Sequence, residues 1–178
     1  MSKTLAIDTS TSRTSVAIID GNTILFSGFR DGATAHGPSL PELVQEALAV
    51  SNVDEVVVGM GPGPFTGLRV GIVFAQSFAL ARDIPVRGVC SLDAIAAQVD
   101  EKDFIITVDA RRKEVYWARY IDGVRVGDSA VNFPADVSGA PIHADLFPDM
   151  HALVQLPGNI TEPIYLRRPD AVATADRP

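Results

Sequence analysis

Three strand-like runs occupy residues 4–29. Residues 4–8 are a short apolar run, and residues 14–20 alternate apolar with polar and are rich in β-branched side chains. Residues 23–29 follow after Asp20-Gly21-Asn22, a turn triplet that predicts a hairpin. The period then changes. Leu40, Leu43, Val44, Ala47 and Leu48 recur at i, i+3, i+4, i+7 and i+8, the apolar stripe of an amphipathic helix. Ser39 with Glu42 forms a capping box at its start, and Pro38 and Pro41 flank it where a helix tolerates proline. Residues 55–59 (EVVVG) predict a buried strand, a Gly-Pro loop fills 60–66, and a long helix is predicted over 67–82. Residues 86–89 predict a further strand, and Ser91 stands where it would cap a helix running to about residue 99.

A charged break at 100–103 separates a second set of strands at 104–108, 114–121 and 124–131, with Asp122-Gly123 as a turn. Past Asn132 the periodicity fades among Pro134, Pro141, Pro148, Pro157 and Pro163, leaving one short helix near 145–153. The tail from Pro169 is rich in Ala, Asp and Pro and is expected to fray. The division that results is a first lobe over 1–99, a reduced second lobe over 100–168 and a tail over 169–178. Residues 6–18 and 107–119 share one plan, in which a strand ends in aspartate, turns tightly and returns. A duplicated lobe would produce that echo, and so would any two hairpins that end in Asp.

Composition adds limits. The longest apolar stretch, residues 70–81, is interrupted by Gly71, Gln76 and Ser77, so no membrane helix is expected. The first residues lack the uncharged core of a secretory signal, which makes cytoplasmic the default. Cys90 is the only cysteine and sits among apolar neighbours, as a buried structural thiol would. With 15 Lys and Arg against 22 Asp and Glu, the net charge is −7, so contact with RNA is expected to run through a partner. The only basic clusters are Arg111-Arg112-Lys113 and Arg167-Arg168.

Two loops carry candidate chemistry. Asp8-Thr9-Ser10-Thr11 places a carboxylate and three hydroxyls at a strand end, which suits either an anion or Mg²⁺ site or a turn that satisfies itself. In the loop 60–69 (MGPGPFTGLR), Gly61 and Gly63 permit unusual backbone angles, Pro62 and Pro64 stiffen the chain, and Thr66 is placed to cap a helix beginning at Gly67. That loop either binds an anion or sets a helix angle. It is neither a Walker loop nor GxGxxG. His36, His143 and His151 lack metalloprotease spacing, and His36 is expected at the surface.

In order and spacing, LAIDTSTSRTSVAI, HGPSLPELVQEAL, VVVGMGPGPFTGLRVGI, IPVRGVCSLDAIA, VDARRKEVYWARY and the late IYLRRP resemble the TsaB (YeaZ) family. The resemblance implies an actin-like, ribonuclease-H-type α/β fold of two lobes, the second shortened here. It implies a non-catalytic subunit that binds the transferase TsaD and activates it for N6-threonylcarbamoylation of adenosine 37 in tRNAs reading ANN codons. TsaE would join in an ATP-dependent complex, tRNA would be touched only indirectly, and the free protein is expected to form a homodimer. No cofactor is expected on this chain alone; ATP and metal belong to the partner subunits. Asp8, Thr9, Ser10 and Thr11 would be a vestigial nucleotide turn, because the matching turn in the second lobe carries the bulky Arg111, Arg112 and Lys113 instead of glycines. No catalytic or metal-binding residue is expected. The helices over 40–50 and 67–82 would face the partner through Leu40, Leu43, Ala47, Val70, Gly71, Val73, Phe74, Ala75 and Phe78, with Gly71 and Ala75 admitting another helix closely. The competing expectation is an ATP-dependent phosphotransferase or M22-type hydrolase of the same superfamily, which needs phosphate grips in both lobes.

Overall fold

A computed structural model describes residues 2–167. Three antiparallel strands, β1 (Lys3–Asp8), β2 (Arg13–Asp20) and β3 (Thr23–Asp31), are followed by β4 (Glu55–Gly59) and β5 (Val86–Val89), giving one sheet ordered β3-β2-β1-β4-β5. β4 lies parallel to β1, and β5 parallel to β4. The predicted hairpin pairs Asp20 with Thr23 across Gly21-Asn22, and Gly21 has φ 60°. In the second sheet β6 (Asp103–Asp109), β7 (Val115–Ile121) and β8 (Val124–Asn132) form the expected meander. A two-residue strand, β9 (Ile142–His143), joins β6 in parallel and completes the order β8-β7-β6-β9. It lies directly after Pro141 and is too short to show a period.

Side-chain alternation decides which face of the first sheet meets which helices. Leu5, Ile7, Val16, Ile18, Val56 and Val58 point into a core closed by α1 (His36–Val50) and α2 (Phe65–Arg82). Ala6, Ala17, Ile19 and Val57 point the other way, against Ala94 of α3 (Ser91–Ala96) and Leu153 of α4 (Met150–Gln155). Leu92 and Ile95 of α3 also pack on Phe104, Ile106 and Tyr120 of the second sheet, so α3 is the joint between the lobes. The short helix of the C-terminal half therefore closes the first lobe's sheet rather than its own. Beyond α4 the chain runs along β5, with Ile160 N–H donating to the Gly88 carbonyl (3.1 Å) and Ile164 N–H to the Met60 carbonyl (2.8 Å). Arg87 fastens this crossing by donating to the carbonyls of Val154 and Leu156.

Four helix starts differ from expectation. α1 begins at His36 with Ala35 as its N-cap, and Ser39 N–H already donates to the Ala35 carbonyl, so Ser39 and Glu42 form no capping box. Pro38 lies in the first turn, where an amide hydrogen has no helical acceptor, while Pro41 is absorbed inside the helix. α2 begins at Phe65 after Pro64, which leaves Thr66 exposed within its first turn and capping nothing. Ser91 does not cap α3, because its hydroxyl is directed at Asp8, and the helix stops at Ala96. α4 starts later than expected, at Met150, with Asp149 accepting a capping hydrogen bond from Ala152 N–H (2.7 Å). The tail from Pro169, with Arg168 before it, lies outside the described residues.

The α1 stripe faces inward. Leu40, Leu43 and Ala47 are wholly buried beneath the sheet, so they hold the first lobe together and present nothing to a second molecule. Leu43→Ala is therefore expected to lower the unfolding free energy by about 3 kcal/mol through lost burial and a residual cavity. Urea denaturation measures this directly. A change below about 0.5 kcal/mol, the ordinary range for a surface site, would put Leu43 outside the core.

Candidate functional site

The turn after β1 and the Gly-Pro loop before α2, fifty residues apart in sequence, meet backbone to backbone. A Cβ on Gly63 would lie 2.5 Å from the Ser10 carbonyl oxygen, and one on Gly71 would lie 2.4 Å from Thr9 Oγ1. Thr9 Oγ1 donates to the Gly67 carbonyl (2.8 Å) and accepts from Gly71 N–H (3.1 Å), the two groups that a regular helix joins to each other. The threonine hydroxyl is thus seated in the first turns of α2 and fixes how that helix leaves the loop. Gly71 admits Thr9, not another helix. Gly61, at φ +90°, accepts from Ser91 N–H (2.8 Å) and donates its own N–H to Ser91 Oγ (3.2 Å).

Asp8 lies behind this seam and is 1% exposed. One carboxylate oxygen accepts from Ser10 N–H (2.9 Å) and Ser10 Oγ (2.7 Å), and the other from Ser91 Oγ (2.6 Å). A Cβ on Gly59 would come 1.8 Å from Asp8 Oδ2, so the neighbouring strand presses directly on the carboxylate. Burial raises the Asp8 pKa, and the hydrogen bonds from Ser91 and Ser10 work against that rise. Thr11 Oγ1 accepts from Arg13 N–H (3.1 Å). Of the two readings of this turn, the geometry is that of one satisfying itself.

The second-lobe turn repeats the device: Asp109 Oδ1 accepts from Arg111 N–H (2.9 Å), as Asp8 does from Ser10. Here the aspartate is open, with a side chain 68% exposed. Arg111, Arg112 and Lys113 all adopt left-handed backbone, at φ 64°, 54° and 63°. Each such residue carries a steric cost of about 1 kcal/mol or more. Between the two turns lies an interlobe cleft of about 770 Å³.

His36 departs from its expected surface position. It is 4% exposed at the start of α1, where Nδ1 and Thr14 Oγ1 share a 2.8 Å hydrogen bond. Burial lowers its pKa, and the nearby Asp8 carboxylate opposes that shift. His143 is paired with Glu101 (3.0 Å) on the far lobe. Among the described residues no group of three His, Cys, Asp or Glu is placed to hold a metal ion. Cys90 is buried, as expected, and its thiol is pushed up to about 11 by desolvation.

The expected partner-facing residues divide sharply. Gly71 and Ala75 are buried with Leu40, Leu43 and Ala47 in the first lobe's own core. Val70, Phe74 and Phe78 are half-buried against that core, the two phenyl rings stacked 6.0 Å apart. Val73 is 52% exposed. Leu80, absent from the expected set, is 85% exposed and continues the same helical face. The contacts of Ser91, His36 and Thr14 also escaped sequence reasoning. These residues meet Asp8 and α1 only through tertiary packing, although Leu80 could have been found by extending the helical stripe one turn.

Comparisons with known proteins converge. A family model described as "TsaD: tRNA N6-adenosine threonylcarbamoyltransferase" matches residues 30–153. The TsaB protein of Escherichia coli is 36% identical over 125 residues, covering 65% of this chain and 54% of that protein. YeaZ from Pseudomonas aeruginosa superimposes with a TM-score of 0.74 at 28% identity, over 87% of this chain and 90% of that one. The chain belongs to the TsaB (YeaZ) family. An uncharacterised protein of Mycobacterium tuberculosis H37Rv is 42% identical, covering 96% of this chain and 94% of its own. The fold of this TsaB-family chain is the two-lobed, actin-like α/β arrangement. Among its described residues no helix is long and apolar enough to cross a membrane.

Two measurements test the geometry. Titration calorimetry of the isolated chain with ATP and Mg²⁺ is expected to show no micromolar binding, since Asp8 is sealed and Arg111–Lys113 fill the opposite turn; tight Mg²⁺-dependent binding would contradict both points. A buried histidine with a lowered pKa leaves the unfolded chain holding more protons, so His36 stabilisation is present above the unfolded pKa of about 6.5 and is lost as pH falls below it. The stability advantage of the wild type over His36→Gln is therefore expected to shrink between pH 7.5 and pH 5.5 in urea titrations. A constant difference would mean that His36 titrates alike in both states.

Proposed function

We propose that this chain is a non-catalytic subunit that binds and activates the TsaD transferase for N6-threonylcarbamoylation of adenosine 37 in tRNAs that read ANN codons. The observation that carries the reading is the outer face of α2. Val70, Val73, Ser77 and Leu80 follow one another at helical spacing, with Val73 and Leu80 exposed to 52% and 85%. A helix that covers one apolar side with its own sheet and leaves a second in water is built for a protein partner. Ser77 and Ala81 on that face are small and would let another helix approach.

The process is supported by relatives in Escherichia coli and Bacillus subtilis named as tRNA threonylcarbamoyladenosine biosynthesis proteins. A subunit without chemistry of its own is supported by Asp8, whose oxygens are both engaged inside the protein. In this reading ATP and any metal reside on the partner subunits, TsaE joins the TsaD complex in an ATP-dependent step, and the assembly works in the cytoplasm. Free copies pair through the same α2 face, so the homodimer and the TsaD heterodimer compete for one surface.

The test is a charged pair on that face. Val73→Asp with Leu80→Asp is expected to abolish co-purification with the cognate TsaD and to convert any self-associated form to monomer. The thermal midpoint should move by no more than about 3 °C, because neither side chain lies in the core. Normal assembly by this variant would remove α2 from the interface, and simple unfolding would place both residues in the core.

A further inference from the structure

The only two basic clusters in this acidic sequence lie 54 or more residues apart, and the fold brings Arg111 and Arg112 of one close to Arg167 of the other. Arg111 and Arg112 from the second-lobe turn and Arg167 from the C-terminal segment line the interlobe cleft of about 770 Å³. Among the described residues lining it, none is aspartate or glutamate, in a chain where acids outnumber bases 22 to 15. Asp109 and Glu114 stand just behind two of the arginines. Asp109 is 3.7 Å from Arg111, with both side chains more than half exposed, and Glu114 pairs with Arg167. The cleft also presents the rings of Phe65 and Tyr165, 37% and 39% exposed and 4.9 Å apart between centroids. Thr34 and Thr66 add exposed residues with hydroxyl groups along its lip.

Arginine beside exposed aromatic rings, in a groove with no acid among its described lining residues, is the chemistry that seats single-stranded nucleic acid: guanidinium groups take the phosphates and rings take the bases. The sealed Asp8 means that no first-lobe carboxylate reaches the cleft to hold a phosphate-bound Mg²⁺. A grip of this kind suits a strand better than a nucleoside triphosphate. We propose that the interlobe cleft binds a short single-stranded RNA segment, without metal, through Arg111, Arg112, Arg167 and the rings of Phe65 and Tyr165. This would make contact with RNA local and direct despite the net charge of −7, contrary to the expectation of purely indirect contact. The choice of RNA over another polyanion rests on the tRNA-modification reading above.

The test uses the full chain and a fluorescent RNA of about six nucleotides, followed by anisotropy at low salt with EDTA present. Wild-type protein is expected to bind, more weakly as salt rises. Arg111→Asn with Arg112→Asn removes both charges while asparagine still accepts left-handed backbone. That variant should bind about tenfold or more weakly, and its salt dependence should fall by about 1.4 logarithmic units per decade for two lost phosphate contacts. Its thermal midpoint and its co-purification with TsaD should be unchanged, which separates this proposal from the subunit reading. Tyr165→Ala should weaken binding without changing the salt slope. Undiminished binding by the double variant, or no salt-sensitive binding by the wild type, would overturn the site. Displacement of the oligomer by AMP at equal concentration would overturn the strand in favour of a mononucleotide.

Discussion

Thr9 holds the molecule to its plan. Its hydroxyl sits between the Gly67 carbonyl and the Gly71 amide of α2, both deep in the first lobe. A buried donor or acceptor left without a partner costs about 1–3 kcal/mol, so this single oxygen satisfies two demands at once. It also brings the β1 turn so close to α2 that Gly63 and Gly71 have no room for a side chain. The direction of α2 follows from that contact, and so do the half of the helix that covers the sheet and the half that faces water.

The same seam accounts for Asp8. With Thr9 drawn into α2 and Ser91 reaching across from α3, the carboxylate is enclosed by hydroxyls and by the backbone of Gly59. The second-lobe turn makes the same Asx bond at Asp109 but leaves it in the open and follows it with three left-handed residues. The two hairpins that share this plan are thus finished in opposite ways, one closed into the core and one displayed at the cleft. The echo between residues 6–18 and 107–119 was visible in the sequence as a shared plan, but the opposite burial of the two aspartates was not, because it depends on what packs above each turn.

Strands were legible wherever alternation or a β-branched run met a turn residue, as at Asp20-Gly21-Asn22 and Asp122-Gly123. Helix starts were not. Ser39, Thr66 and Ser91 each have the chemistry of a cap, yet only tertiary context shows that Ser39 sits inside a helix, Thr66 is exposed and Ser91 serves Asp8. The two halves of the candidate site were each named from sequence, while their mutual contact was invisible because it is made of glycine clearances and one hydroxyl seated on helix backbone, which leave no period in the sequence. The α1 part of the expected interface stripe lies elsewhere for a related reason. An apolar period reports that a face is covered, and for Leu40, Leu43 and Ala47 the cover is the chain's own sheet.

What remains for a partner is the strip from Val73 to Leu80, and the most direct test is chemical access to it. Variants with one added cysteine, at Val73, Leu80 or Leu43, would be labelled with a maleimide, with and without saturating TsaD. Cys90, buried and with its thiol pushed up to about 11, serves as an unreactive internal reference. Cysteines at 73 and 80 are expected to react fast in the dilute free protein and at least about tenfold more slowly with TsaD, while one at 43 stays unreactive in both. Equal labelling of positions 73 and 80 with and without a formed TsaD complex would contradict this expectation.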